Sequence, residues 1–314
     1  MSEPSRRPGR LAIGVVGAGR VGAVLGALLR EAGHEVVGAS GASEASIDRI
    51  DTLLPGVSRV DPDQVVRASD LVLLTVPDDA LQPLVAGLAT LGAWREGQLV
   101  VHCAGRFGTS VLAEARRAGA IPLAIHPAMT FTGTSMDRAR LRDAVFAVTA
   151  PAPVLPIAQA LVVEMGAEPI VVAEADRPAY HAALVHGANH VVTAVSQASA
   201  VLARLGIDEP GRVLGPLTQA SVEGALRDAP GSVATLTGPV VRGDSGTVAA
   251  HLAALVGSPE TLAAYKAMAR ATADLAFAGG RLGADGYAAV IAALGLAAED
   301  LEGPPRGGTD LEDR

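Results

Sequence analysis

An α/β chain is what this sequence predicts, with a doubly wound parallel sheet followed by an all-helical C-terminal domain. Three observations lead there. Short, wholly apolar runs alternate with helix-patterned segments as far as Glu174. Gly17, Gly19 and Gly22 close the first apolar run and open the first helical one. Beyond Asp176, strand-like runs cease and Ala-rich helical spacing continues to about Leu296.

The elements follow in order. Leu11 to Val16 reads as a buried strand, Arg20 to Ala32 as a helix with Gly33 as its C-terminal cap, and Glu35 to Ala39 as the second strand. Strand, helix and strand within about thirty residues form a βαβ unit. Leu71 to Val76 is a third strand, stopped by Pro77, and Asp78-Asp79 suit the positive end of the helix that follows. Leu99 to Cys103 and Ile121 to Ile125 are further strands flanking a helix over Thr109 to Ala118. Val145 to Thr149 and Pro169 to Val172 complete the set, separated by a helix from Val154 to Met165. Runs without in-strand alternation imply burial on both faces, hence parallel strands under helices. In the helical part, breaks are expected at Gly206, Pro210, Pro230-Gly231, Gly238-Pro239 and Gly257. The boundaries expected are a first domain over 11–174, a second over 175–298, and polar disordered tails over 1–10 and 299–314.

Composition narrows the class. A length of 314 residues suits two domains. Hydrophobic residues at 49% against 18% charged supply a large core, and aromatics at 3% leave that core to Ala, Val and Leu. A net charge of -8 with so few aromatics argues against a nucleic-acid partner. One cysteine, Cys103, excludes an intrachain disulfide and suits a reducing, cytoplasmic compartment. Arg6, Arg7 and Arg10 before an apolar run imitate an export signal, but that run continues into glycines, so a short polar tail is expected. No membrane span is expected.

The glycine spacing carries chemistry. In Gly17-Ala18-Gly19-Arg20-Val21-Gly22, the first glycine permits a tight turn, the second a close approach to a pyrophosphate, and the third close packing of helix on strand. The helix N-terminus then offers free N–H groups and partial positive charge to phosphates. A dinucleotide is therefore the expected ligand. An acid at the end of the second strand would hold ribose hydroxyls. Here Gly38-Ala39-Ser40-Gly41-Ala42-Ser43 has none, which favours NADP, with NAD as the alternative, although no arginine stands in that stretch. Ser40, Val76, Pro77 and Asp78 join the expected cofactor site.

Open sheets of this kind bind ligands beyond their strands' carboxyl ends. Besides Thr75 to Asp78, these ends are His102-Cys103-Ala104-Gly105 and His126 to Phe131. The helix over 176–205 adds Tyr180, His181, His186, Asn189 and His190, with Asn189 able to share a face with either His181 or His186. His186 and His190 have the spacing of a zinc pair, but no further ligands accompany them, so no metal is expected. In the loop Leu236 to Asp244, Asp244 can cap a helix starting near Ser245, and Arg242 can bind a carboxylate.

Gly17 to Gly22, Asp70 to Asp78, His126-Pro127, Tyr180-His181 with Asn189, and Thr237-Gly238-Pro239 with Arg242-Gly243-Asp244 together resemble the actinobacterial Rossmann-like oxidoreductases whose second domain is of unknown function. The resemblance spans roughly Leu11 to Leu282. It implies a Rossmann-type first domain and a helical domain similar to the C-terminal domain of 6-phosphogluconate dehydrogenase, with homodimerisation through it. More distant relatives are pyrroline-5-carboxylate reductase, prephenate dehydrogenase, ketopantoate reductase and the β-hydroxyacid dehydrogenases. The hydroxyacid and ketopantoate enzymes use a Lys-x-x-x-Asn pair. With Asn189 as that asparagine, Val185 stands at the lysine position, and the single lysine of the chain, Lys266, lies far away. That mechanism is not carried over. The His-Pro loop of prephenate dehydrogenases resembles His126-Pro127.

The expectation is an NAD(P)-dependent oxidoreductase reducing C=O or C=N of a small anionic metabolite. His186 or His126 would supply the proton, with Tyr180 and His181 nearby, Asn189 orienting the carbonyl and Arg242 holding the anion. The alternative is a catalytically silent dinucleotide-binding sensor.

Overall fold

The computed structural model describes residues 9–227 and 233–295. Its first unit, Met1–Gly187, is a seven-stranded sheet flanked by helices. Strand β1 (Ala12–Val16) leads through α1 (Arg20–Glu31) to β2 (Glu35–Ser40). Two short helices follow, α2 (Glu44–Leu53) and α3 (Pro62–Ala68), which the apolar pattern of the sequence did not announce. The chain crosses to β3 (Leu71–Leu74), then α4 (Asp78–Thr90), β4 (Leu99–His102), a 3-10 turn at Thr109–Leu112, and α5 (Ala113–Arg117). Next come β5 (Ile121–Pro127), α6 (Met136–Arg140), β6 (Val145–Thr149), α7 (Leu155–Glu164) and β7 (Glu168–Val171).

The sheet order is β2-β1-β3-β4-β5-β6-β7. Strands β1 to β5 are parallel and mostly buried on both faces, as continuous Val and Leu runs require. Two features depart from the expectation of a uniformly parallel, buried sheet. β6 runs antiparallel to β5, and β7, at the edge, is largely exposed. An apolar run reports burial, not direction, so the sequence could not distinguish the two pairings. β5 also outreaches β4: His102, the last residue of β4, pairs with Ala124, and β6 pairs with β5 from Ala124 to Pro127.

The second unit begins at Ala188, within helix α8 (Arg177–Arg204) rather than before it as expected. It continues through α9 (Pro210–Arg227), α10 (Pro239–Arg242), α11 (Ser245–Ala254), α12 (Pro259–Ala278) and α13 (Ala284–Ala293). Among the described residues it holds no strand. Val240, Val248, Ala273, Val290 and Ile291 centre its small core. Asp244 caps α11 through the Thr247 N–H, as its position predicts. The break at Pro230-Gly231 and, apart from Gly9 and Arg10, the expected tails lie outside the described residues. Among the described residues no helix is long and apolar enough to cross a membrane.

Carboxylates fasten irregular segments to the first unit. Glu164, at the end of α7, accepts from Arg10 and from buried His34, whose other ring nitrogen accepts the Leu11 N–H. Asp137 is buried and accepts from the Thr132 N–H and hydroxyl and the Gly133 N–H. Burial alone would raise the Asp137 carboxyl, but these hydrogen bonds outweigh it and hold the group below its ordinary value. A lowered folded-state value means that the contribution is full above about pH 4, the unfolded value, and is lost as pH falls through the folded one. Asp137→Asn should therefore cost about 1–3 kcal/mol near neutrality. The deficit should shrink on acidification, as read from urea unfolding followed by the buried Trp94.

Candidate functional site

The glycine loop lies at the point where the strand order diverges on either side of β1. Gly17 has φ +89°, a left-handed conformation, and a Cβ there would lie 3.0 Å from the Thr75 backbone. At Gly22 a Cβ would lie 2.2 Å from Thr75 Oγ1 and 2.7 Å from the Gly17 carbonyl oxygen. Thr75 Oγ1 donates to that same carbonyl at 2.6 Å, and the Gly17 and Ala18 N–H groups donate to Ser40 O. The turn is thus clamped between β2 and β3. At Gly19, by contrast, a Cβ would meet nothing closer than 3.9 Å, so the backbone faces open space at the start of α1. A crowded underside and an open top fit a dinucleotide pyrophosphate, with Arg20, Val21 and Gly22 presenting first-turn N–H groups.

On the β2 side lies a cavity of about 670 Å³, lined among others by Gly17, Ser40, Gly41, Arg59 and Val76. Arg59 was missed by sequence reasoning. Its backbone pairs with the end of β2: Ala39 N–H donates to Ser58 O, and Val60 N–H to Ala39 O. The return of the chain after α2 therefore supplies the arginine that the stretch after β2 lacks. Arg59 holds Asp51 loosely, at 3.8 Å, and more than half of its side chain is exposed.

On the β4–β5 side the structure brings together His126, Tyr180 and His181. His126 Nδ1 and the Tyr180 hydroxyl are hydrogen-bonded at 3.0 Å. The His126 ring meets the Tyr180 and His181 rings edge to face, at 5.6 and 6.0 Å between centroids. Gly105 closes the cluster, since a Cβ there would lie 2.5 Å from His181 Cδ2 and 2.9 Å from His126 Nε2. The loop carrying Gly105 is fixed from below and beside. Buried His102 accepts the Ala104 N–H at Nδ1 and so carries its proton on Nε2, which donates to Gly108 O at 2.8 Å. Glu174 accepts from the Thr109 and Ser110 N–H groups and from the Thr109 hydroxyl.

Beneath the cluster is Arg177, fully buried. It donates to Thr149 Oγ1 and to the carbonyls of Ala124 and Ala147, while Nη1 has no partner. Burial, reinforced by this cation, pushes His126 down to about 4. His102 also falls to about 4, driven by burial and by Arg177 against the pull of its bond to Gly108. Burial pushes the Cys103 thiol up to about 12. It raises Tyr180 too, with Arg177 opposing. Both histidines are therefore neutral near neutrality. A histidinium donor at His126, one of the two expected, conflicts with this environment.

The remaining expected residues are not part of the cluster. His186 is exposed further along α8. Asn189 and His190 are exposed and belong to the second unit, as does Arg242, exposed at the end of α10. Val76 lines the cavity, and Asp78 starts α4 and pairs with Arg106 at 3.1 Å. Among the described residues no group of three or more His, Cys, Asp or Glu side chains could hold a metal ion.

Residues 1–127 match the family model of the Rossmann-like domain, and residues 144–272 match the Domain of unknown function (DUF2520). The chain therefore joins a Rossmann-like domain to a DUF2520 domain, the pairing that its motifs resemble. Among solved structures it is similar to a Bacteroides fragilis protein provisionally named an NADP oxidoreductase, at 20% identity and a TM-score of 0.70, covering 84% of this chain and 98% of that one. It is similar to protein TM1727 of Thermotoga maritima, at 19% and 0.62, covering 85% and 98%. It is also similar to an imine reductase of Myxococcus stipitatus in complex with NADP+, at 19% and 0.61, covering 90% and 98%. At these identities the likeness is one of fold. No curated protein matches the chain.

The crowding at Gly22 makes a direct test. Gly22→Ala should weaken NADPH binding by at least about tenfold, about 1.4 kcal/mol, because the methyl group must push α1 away from Thr75. Titration calorimetry would show it, and unchanged affinity would contradict the cradle.

Proposed function

We propose that the protein is an NADP-dependent oxidoreductase that reduces a C=N or C=O group of a small anionic metabolite. The observation that carries this is the Tyr180–His126 hydrogen bond, standing past the end of β4 on the overhanging part of β5, on the opposite side of the glycine cradle from the Ser40–Arg59 cavity. A dinucleotide laid along the sheet, adenosine towards β2, directs its nicotinamide to that side. The fold shared with proteins named as NADP oxidoreductases and imine reductases supports the reading.

The nicotinamide, when bound, supplies the hydride. The residues of this chain supply position and a proton. Tyr180, hydrogen-bonded to neutral His126, is the group placed to give a proton to the substrate nitrogen or oxygen. His126 orients the phenol, and Gly105 leaves the space in which the two rings meet. Tyr180→Phe should lower turnover about 10²–10⁴-fold with little change in NADPH affinity. NADPH oxidation against a panel of cyclic imines, 2-oxo acids and β-keto acids would find the substrate class. Turnover with any member excludes the silent sensor. Because His126 is already neutral above about pH 4, kcat should show no histidine step near ~6.5. A break there that disappears in His126→Gln would contradict the assignment.

Arg59 supports NADP over NAD, since a guanidinium beside Ser40 suits a 2′-phosphate. Arg59→Ala should weaken NADPH binding about tenfold or more and leave NADH nearly unchanged. Equal losses for both would argue against a phosphate contact.

The helical unit is proposed to dimerise. Over its full length α9 has no buried residue and exposes Val213, Leu217 and Leu226. A helix with such an apolar complement needs a partner surface. The second chain is the proposed partner, and Arg242 is proposed to meet the substrate's anionic group in one of the two resulting sites.

A further inference from the structure

We propose that Arg177 is a positioning residue whose buried guanidinium serves as the fixed counter-charge for the phenolate left on Tyr180 after proton transfer. The inference rests on the reading of Tyr180 as the proton donor. It goes further in assigning the charge that makes that donor usable.

The geometry is unusual for a structural arginine. Arg177 has no exposed surface, and its hydrogen-bond acceptors are all neutral: one hydroxyl and two backbone carbonyls. Nη1 is buried without any partner. A guanidinium stays charged in a protein, and a buried charge without a counter-charge is costly. An apolar side chain of similar length would fill the same space at less expense, so the positive charge calls for an account of its own.

The surrounding groups supply one. The guanidinium carbon lies over the Tyr180 ring, 5.9 Å from its centroid, one turn earlier on α8. The other titratable groups around the pair are His126 from β5, His181 from α8, His102 and Cys103 at the end of β4, and Glu174 just before α8. His126 and His102 are neutral, and the Cys103 thiol is held protonated by burial. Glu174 is exposed and engaged by Thr109 and Ser110. Tyr180 is then the acid in contact with Arg177 that reduction of a C=N or C=O group would turn into an anion. In that step the Tyr180 O–H bond breaks and a bond forms between the proton and the substrate atom. The electron pair stays on the phenol oxygen, and a reduced nicotinamide supplies the hydride. The phenolate then has a fixed cation over its ring and the His126 ring at its oxygen. The guanidinium is already fixed by its hydrogen bonds to Thr149, Ala124 and Ala147, so the cation need not reorganise when the charge appears.

The chain contains three tyrosines, Tyr180, Tyr265 and Tyr287, which makes the test independent of any substrate. In a Tyr265→Phe/Tyr287→Phe background, the ultraviolet absorbance of tyrosinate against pH reads Tyr180 directly, and adding Tyr180→Phe removes the signal. Arg177→Gln, which keeps hydrogen-bond donors but removes the charge, should move this titration upward by about one pH unit or more. Arg177→Lys should restore it. A titration that stays in place in folded Arg177→Gln, or moves equally in both variants, overturns the proposal. If Arg177→Gln does not fold, Arg177→Met decides: it fills the same space without charge and should move the Tyr180 titration upward, and no upward shift there overturns the proposal. Failure of the substrate panel would bear on the oxidoreductase reading and leave these titrations unaffected.

Discussion

Between Gly17, Gly22 and Thr75 there is no room for one further carbon atom, and the layout of the site follows from that contact. A Cβ at Gly22 would lie 2.2 Å from the Thr75 hydroxyl, which itself holds the Gly17 carbonyl. α1 is consequently pinned against β3 with its first N–H groups uppermost, while β2 departs on the other side of β1. The two sides receive different chemistry. On the β2 side the lining is mostly aliphatic, with Ser40 and the Arg59 guanidinium among its polar groups. On the β4–β5 side it is aromatic, with a phenol and two imidazoles.

Backbone placement on the second side depends on polar groups more than on apolar packing. The loop from Ala104 to Ser110 carries no regular hydrogen-bond ladder. Its N–H and carbonyl groups are met instead by His102 from below and Glu174 from beside it. A buried backbone group without a partner costs about 1–3 kcal/mol, which applies to the two buried His102 contacts, while the Glu174 contacts hold the exposed end of the loop. Gly105 then presents a bare Cα to the two imidazoles. The same logic applies to Asp137, which gathers the turn at Thr132 and Gly133.

Much of this was legible in the sequence. The strands from Leu11 to Thr149, the helix after the glycines and the capping role of Asp244 follow from local pattern and chemistry. The glycine cradle was legible because its three glycines fall within six consecutive residues. His126, Tyr180 and His181 could be nominated as candidates, since each lies at a strand end or on the helix after the sheet. Their juxtaposition could not be read, because it depends on where α8 starts relative to β5. Arg59 was hidden for a related reason. It reaches the end of β2 through an isolated pairing with Ala39, after a helix that the apolar pattern did not mark. Arg177 looked like an ordinary helix-start residue, and nothing local showed that it would be enclosed. The reversal of β6 left no trace because apolar runs look alike in either direction.

That reversal bears on how such a site could evolve. β5 overhangs β4, and the reversed strands hang from the overhang, so β6 ends level with His102 instead of at the far edge of the sheet. The start of α8 is delivered to the functional edge without another full crossover. Strand length here acts as a ruler: each residue in the Ile125–Pro127 overhang sets the height at which Tyr180 arrives. A single insertion there would also turn every following side chain to the opposite face. The overhang should therefore tolerate exchange of side chains far better than any change in length, even where no residue touches a ligand.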